Sequence, residues 1–334
     1  MIRIGIYGTT GYTGVELVKI LQRHPQAEIV FATSSSSAGK SLRDLFAAAP
    51  PIPLIHPDHA PVDQIEVAFL CLGHGDAAAV AVKLLQAGVR VIDLSADFRL
   101  KDAAAYQQWY HHPHPDPELL ASAVYGLTEF AREQLPQAQL VANPGCYPTS
   151  ILLALQPLCA ANAIAGTVIS DSKSGVSGAG RVPKQNTHFV EVADNFSPYS
   201  IGRQHRHLPE IEQGLGMWQA EPPSLIFSPH LLPVPRGILS TIYVPLHPGW
   251  TDKKLHELYH TTYDHEPFVR VLKTGQVATL HHAIHTNLCA IGLTLTRDTL
   301  ILTSAIDNLI KGASGQAVQN LNGMMGIDER MGLR

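Results

Sequence analysis

Cysteine and charge are both scarce in this chain: 4 of its 334 residues are Cys, and 16% are Asp, Glu, Lys or Arg. The four thiols, at positions 71, 146, 159 and 289, have no paired ligand spacing. Neither a metal centre nor a disulfide framework is therefore expected. With 24 Lys and Arg against 28 Asp and Glu, the net charge of -4 offers no basic field for nucleic acid. No apolar run approaches the roughly 18 residues that mark a membrane span. The N-terminus passes straight into a strand pattern, without the basic and apolar regions of a secretory signal. The expectation is a cytoplasmic protein that acts on a small molecule, with neither nucleic acid nor membrane as partner.

What is present is organised in two parts. A chain of this length exceeds the usual single core, so two domains are expected. Apolar runs at 2–7, 27–33, 66–72, 89–94 and 139–142 alternate with helical stretches at 14–23, 76–87 and 130–134. That alternation implies an α/β architecture, a Rossmann-type doubly wound parallel sheet. The excursion 101–117, with Tyr106, Trp109, His111, His112 and His114, reads as a loop or short helix. Beyond 146 the strands lengthen, at 167–172, 224–228, 239–245, 269–271 and 288–296, with helices at 206–216 and 251–262. This second part reads as an α+β domain on a largely antiparallel sheet. A helix over 305–322 is expected to return to the first domain.

The first strand runs into Gly8-Thr9-Thr10-Gly11-Tyr12-Thr13-Gly14, a variant of the dinucleotide fingerprint. In such a turn the first glycine makes the bend, the second lets pyrophosphate approach and the third lets the helix pack closely. It is not a P-loop, since the terminal Lys-Ser/Thr is absent. The second strand ends in Ser34-Ser35-Ser36-Ser37, with Lys40 following and no carboxylate to hold a free ribose 2′-hydroxyl. That pattern suits a 2′-phosphate, and so NADP.

Cys146 lies in Asn143-Pro-Gly-Cys146-Tyr-Pro-Thr149, at the head of an apolar run. A thiol where a turn enters a helix has the N-terminal N–H groups to stabilise its thiolate. Cys71, Cys159 and Cys289 sit in apolar surroundings and read as small core residues. A cysteine nucleophile joined to a nicotinamide fold implies reduction or oxidation through a thioester.

Such chemistry needs a proton carrier, and His205-Arg-His207-Leu-Pro-Glu210 supplies two histidines at a helix entrance. Most of the 18 histidines in the chain are surface residues by default. This pair is set apart by Tyr199 and Arg203 upstream and Glu210 downstream. Tyr199, His207 and Glu210 are expected on the substrate. His205 and His207, two residues apart, are expected to face different sides and to do different jobs. Arg99, in Asp93-Leu-Ser-Ala-Asp-Phe-Arg99, is a candidate for substrate phosphate. The Gly/Ser-rich loop after the strand at 167–172 offers further anion-binding positions, Ser174 toward substrate and Gly178 toward cofactor.

With these residues in view, the chain resembles the N-acetyl-gamma-glutamyl-phosphate reductases, NADP-dependent enzymes of arginine biosynthesis within the aspartate-semialdehyde-dehydrogenase-like superfamily. The likeness is carried by GTTGYTG at 8–14, DLSADFRL at 93–100, VYGLTE at 124–129 and NPGCYPT at 143–149. It continues in SGVSGAGR at 174–181, HRHLPEIEQ at 205–213, PHLLPVPRGI at 229–238 and DNLIKGASGQAVQN at 307–320. The resemblance implies Cys146 as nucleophile, His205 as proton carrier and Asn308 near the nicotinamide. It also implies an acyl phosphate substrate, NADPH as reductant and a homo-oligomer, dimer or tetramer. Residues 1–145 with 308–334 are expected to bind NADP, and 146–307 to carry catalysis and oligomerisation. Ser150 departs from the Gly or Ala more usual in the family after the threonine. An aspartate-semialdehyde dehydrogenase would place its proton carrier after a glycine in a late strand. Here Gly237 is followed by Ile238, which favours the HRH histidine. A non-enzymatic NADP sensor would have no use for either NPGC or HRH.

Overall fold

The structure is a computed structural model that describes residues 1–333. The chain forms two compact units, one of Met1–Pro144 with the stretch from Ala313 onward, the other of Gly145–Gly312. Among the described residues no helix is long and apolar enough to cross a membrane.

The first unit is built on seven strands, β1 (Ile2–Tyr7), β2 (Ala27–Thr33), β3 (Leu54–Ile55), β4 (Val67–Leu70), β5 (Arg90–Asp93), β6 (Val124–Tyr125) and β7 (Leu140–Ala142). They lie in the order β3-β2-β1-β4-β5-β7-β6, and every pairing is parallel. Helices cover such a sheet on both faces, which is why its strands are largely apolar rather than alternating, with Arg3 and Glu28 exposed near the starts of β1 and β2. Ile4, Ile6, Val67, Phe69 and Val91 are fully buried. The chain reverses its direction of travel across the sheet between β1 and β4, and there the Gly8–Gly14 turn leaves β1.

The excursion after β5 contains a helix, Ala103–Tyr110, whose first turn is capped by Asp102. Asp97, four residues beyond β5, accepts the N–H groups of Gly75, Ala77 and Ala78 and so caps the helix Ala77–Gln86 from another part of the chain. The expected helix at 130–134 is shorter and earlier, Thr128–Ala131.

In the second unit β8 (Val168–Gly175), β9 (Ser197–Pro198), β10 (Leu225–Leu232), β11 (Ile238–Pro245), β12 (Val269–Val271), β13 (Cys289–Thr296) and β14 (Thr299–Ile306) form one sheet in the order β12-β13-β14-β11-β8-β10-β9. Two pairings, β8 with β10 and β12 with β13, are parallel, and the other four are antiparallel. One face packs on the helix Cys146–Ala160. Instead of a wholly apolar seam, helix and sheet meet through hydroxyls. Ser150 Oγ lies 3.0 Å from Ser240 Oγ and 3.1 Å from Ser304 Oγ, and Ser172 donates to Ser240 at 2.8 Å. All four are fully buried, and each is satisfied within the seam. The family's departure at Ser150 is therefore a packing element here.

Two prolines shape the helix. Pro148 falls in the first turn, where a missing N–H costs nothing. Pro157 sits inside and cannot donate to the carbonyl of Leu153, four residues back. Tyr263 replaces that donor, its hydroxyl reaching Leu153 O at 2.5 Å, and Tyr259 donates to the neighbouring Ala154 O at 2.5 Å. Both tyrosines come from the helix Asp252–Tyr263.

The expected helix at 305–322 starts later. Ala305 and Ile306 still pair with β11 and β13, so the ladder outcompetes helix propensity there. A π-helical turn, Ile310–Ser314, follows, then the helix Gly315–Met324. That helix belongs to the first unit and buries its amides: Gln316, Asn320 and Asn322 bond to Thr128, Asn143 and His24.

Tyr263→Phe leaves the Leu153 carbonyl buried without its donor, and should lower stability by about 1–3 kcal/mol. Denaturant titration reads this directly, and an unshifted unfolding midpoint would refute the account of Pro157.

Candidate active site

The dinucleotide turn in the first unit has the backbone that its sequence requires. Gly8 adopts φ +75°, and a Cβ there would sit 2.3 Å from the Cys71 carbonyl oxygen. At Gly14 a Cβ would lie 2.7 Å from the backbone of Thr9, so the helix Tyr12–Leu21 can press onto the loop only because that residue is glycine. Gly11 meets nothing nearer than 3.8 Å, and the helix begins from it without a side-chain cap. A pyrophosphate fits such an opening, facing backbone N–H groups at a helix N-terminus.

The hydroxyls around the turn divide into two kinds. Thr9 is buried and donates to Ile6 O, Thr10 Oγ1 lies 3.3 Å from Ser34 Oγ, and the Thr13 carbonyl accepts from Ser314. Ser34 is buried, so it braces the loop rather than standing in the open. Ser35, Ser36 and Lys40 are exposed. Arg99 is buried as well. Its Nε donates to Asn143 O and its Nη2 to Leu94 O, both at 2.9 Å. Those two bonds brace the ends of the parallel strands, a task its place in the sequence did not announce. Nearby Asp93 is pushed up to about 7, chiefly by burial and then by Asp97, against the pull of Ser95 and Arg99.

In the second unit Cys146 is the first residue of its helix, half-buried, with Gly145 as N-cap. Thr149 closes the first turn, its N–H and Oγ1 both donating to Gly145 O at 2.9 Å. The backbone of the π-turn lies directly behind the nucleophile: a Cβ on Gly312 would come within 2.8 Å of the Cys146 Cβ. Neither Gly312 nor Tyr147 was singled out from the sequence. Both stood inside motifs that did the signalling, but which way a helix turns its second residue is settled only by packing.

Tyr147 organises the surroundings of the thiol. Its hydroxyl accepts from Tyr199 at 3.2 Å and donates to the His230 carbonyl at 3.2 Å. Burial raises both phenols, and Cys146 raises each further. The rings of His205 and His207 pack edge-on against Tyr147 at 5.6 and 6.0 Å, and His205 also meets Tyr199 and Phe227. The two imidazoles lie 4.8 Å apart on the same side. This corrects the expectation of opposite faces. Residues two apart share a side even in an extended segment, and here His207 is the N-cap of the helix Leu208–Gly216 with His205 in the turn just before it.

Within that turn His205 Nδ1 accepts the His207 N–H at 3.0 Å, so in the neutral ring the proton sits on Nε2. Burial, with Arg206 adding to it, pushes His205 down to about 4. Arg203 turns outward to a bidentate pair with Glu212. Glu210 is buried, and its Oε1 accepts the Gly145 N–H at 2.7 Å.

The remaining candidates meet at the end of β8. Ser174 is buried and donates to Gly175 O, and a Cβ on Gly178 would touch Ser174 Oγ at 2.8 Å. Asn308 uses both ends of its amide, Oδ1 accepting the Gly237 N–H at 2.7 Å and Nδ2 donating to Ser177 Oγ at 3.0 Å. Asn308 lies in the second unit, whereas the sequence placed it with the first.

The chain is similar to known proteins along nearly its whole length. Residues 3–138 match the semialdehyde dehydrogenase NAD binding domain, and residues 146–308 the semialdehyde dehydrogenase dimerisation domain. The N-acetyl-gamma-glutamyl-phosphate reductase of Pelotomaculum thermopropionicum is 48% identical, covering 99% of this chain and 97% of that protein. The reductase of the same name from Geobacter sulfurreducens is 47% identical over 100% of this chain and 98% of its own. Among solved structures, aspartate semialdehyde dehydrogenase II of Vibrio cholerae complexed with ASA has the same fold, with a TM-score of 0.77 at 18% identity and 98% of each chain covered.

Two outcomes are expected at this site. Cys159 and Cys289 are buried, burial pushes the Cys159 thiol up to about 12, and burial with Asp93 raises that of Cys71. Iodoacetamide should therefore label Cys146 first, which peptide mass spectrometry can read, and earlier labelling of any other cysteine would contradict the assignment. The second concerns pH. His205 binds its proton more weakly folded than unfolded, so wild-type stability should fall as pH drops from about 6.5 toward about 4. In His205→Asn that loss should shrink, as measured by denaturant midpoints across the window.

Proposed function

The chain belongs to the N-acetyl-gamma-glutamyl-phosphate reductase family, and we infer from that membership that it reduces N-acetyl-gamma-glutamyl phosphate to N-acetylglutamate 5-semialdehyde, with NADPH as reductant and phosphate released. This is a step of arginine biosynthesis. The observation that carries the reading to this chain's own residues is Cys146 as the first residue of a buried helix, beside a paired histidine turn. An aspartate-semialdehyde dehydrogenase is the weaker alternative, since the position after Gly237 holds Ile238, a fully buried strand residue with no proton to give.

The Gly8–Gly14 turn would hold the pyrophosphate, and Ser35, Ser36 and Lys40 the 2′-phosphate. When bound, NADPH supplies the hydride. The Cys146 thiolate attacks the acyl carbonyl, the carbon–oxygen bond to phosphate breaks, and a thioester on Cys146 results. After reduction at that carbon, the carbon–sulfur bond breaks, the aldehyde leaves and the thiolate is restored. Negative charge gathers on the carbonyl oxygen at each addition. His205, neutral with its proton on Nε2, supports the role of donor to that oxygen, in the manner of an oxyanion hole. The backbone N–H of His207 fixes that tautomer by donating to Nδ1.

The second unit carries catalysis and joins copies of the chain in a dimer or tetramer. Its outer sheet face supports this: Ile226, Ile169 and Tyr243 are neighbours in register across β10, β8 and β11, and are 51%, 40% and 39% exposed. The enzyme works in the cytoplasm.

The test is the reaction run backwards, with N-acetylglutamate 5-semialdehyde, phosphate and the oxidised cofactor, followed at the nicotinamide absorbance. Turnover should vanish in Cys146→Ala. It should favour NADP over NAD by at least about tenfold in kcat/KM, roughly 1.4 kcal/mol. A Cys146→Ala enzyme that still turns over would overturn the mechanism.

A further inference from the structure

Glu210 is expected from the sequence to touch substrate, and its carboxylate meets a backbone N–H beside the nucleophile. It is 1% exposed, and its Oε1 lies 2.7 Å from the backbone nitrogen of Gly145. Gly145 is the N-cap of the Cys146 helix, so the carboxylate ends on the peptide group just before the nucleophile. Glu210 itself stands in the first turn of the helix Leu208–Gly216, whose N-cap is His207. One buried bond thus joins the element that begins with the nucleophile to the element that begins with the histidine pair.

We propose that Glu210 is a positioning residue, which fixes the first turn of the Cys146 helix against the turn carrying His205 and His207 and whose negative charge opposes ionisation of the Cys146 thiol. The inference rests on Cys146 being the nucleophile. The two effects come from different properties of the same group. Alignment needs only an acceptor at the right reach, because a hydrogen bond is directional. Opposition to ionisation needs only the charge. A carboxylate and a thiolate at one helix start draw on the same positive end of the helix dipole and repel each other.

The other groups near the thiol are rings, backbone and neighbouring cations. Tyr147 and Tyr199 are phenols raised by burial, and His205 is neutral above about 4. His207 shares the ring cluster, and Arg206 lies beside His205. Behind Cys146 the contact is the backbone of Gly312, while the ammonium of neighbouring Lys311 lies 5.8 Å from the Phe268 ring centroid.

Two variants separate the effects. Glu210→Gln keeps an oxygen of the same reach and removes the charge. Glu210→Asp keeps the charge and withdraws the oxygen by one methylene. The readouts are the pH midpoint of Cys146 alkylation by iodoacetamide, followed by peptide mass spectrometry, and kcat and KM in the reverse assay. For Glu210→Gln the alkylation midpoint should move down by about one pH unit. For Glu210→Asp the midpoint should stay near that of the wild type while kcat falls about tenfold or more, with KM within about twofold. An unmoved midpoint in Glu210→Gln, with Cys146 still labelled first, overturns the inference alone. A raised KM with kcat retained in Glu210→Asp also overturns it, and returns Glu210 to the substrate. Wild-type protein labelled first at Cys71, Cys159 or Cys289 would bring down the nucleophile assignment and the inference with it.

Discussion

The start of the helix Cys146–Ala160 is the constraint on which the second unit depends. A helix buried along almost its whole length must have each backbone polar group satisfied by something other than water. The solutions adopted also position the chemistry. Thr149 closes the first turn on the Gly145 carbonyl, Glu210 takes the Gly145 N–H, and Tyr263 and Tyr259 bond the carbonyls near Pro157. A nucleophile at the head of so constrained an element has little freedom to wander.

The hydroxyl seam beneath the helix serves the same end. A purely apolar seam of Ala and Val would tolerate a helix sliding or rotating by a fraction of a turn. The chain Ser172–Ser240–Ser150–Ser304 does not, because each shift would strand a buried hydroxyl at a cost of about 1–3 kcal/mol. Register is thereby set by hydrogen bonds and volume by the surrounding Leu and Ile side chains. Around Cys146 itself, the aromatic and imidazole rings exclude water, which explains why His205 is neutral and why the phenols hold their protons.

In the first unit the equivalent work falls to amides. The helix Gly315–Met324 carries Gln316, Asn320 and Asn322 on a buried face where a helix ordinarily presents Leu or Val. Each amide reaches a partner distant in the chain, so the C-terminal segment is specified by direction as well as by burial. Arg99 and Asn143 show the same economy. Both belong to motifs that read as functional, and both hold strand ends and the return helix in place.

The sequence by itself determined what local physics controls. Parallel strands buried on both faces must be largely apolar, so β1, β4 and β5 were legible. A bend needing φ above zero must be glycine, so Gly8 was legible, as was Gly14 from the close approach of its helix. The special residues around Cys146 marked a helix start, because Pro and Gly can be placed there and in few other places. Tertiary structure decided everything that depends on which distant group arrives. Ser34 turned inward to Thr10, Glu210 went to a backbone N–H, and Asn308 closed a loop, each an allocation of one polar atom among several possible partners. The helix expected from 305 yielded two residues to β14 because ladder partners were waiting there. His205 and His207 lie on one side, as residues two apart do, but only packing against Tyr147 gathered both rings beside the nucleophile's helix. Periodicity and turn chemistry are written in neighbouring residues, whereas hydrogen-bond partners are chosen only once the chain has brought distant residues within 3 Å.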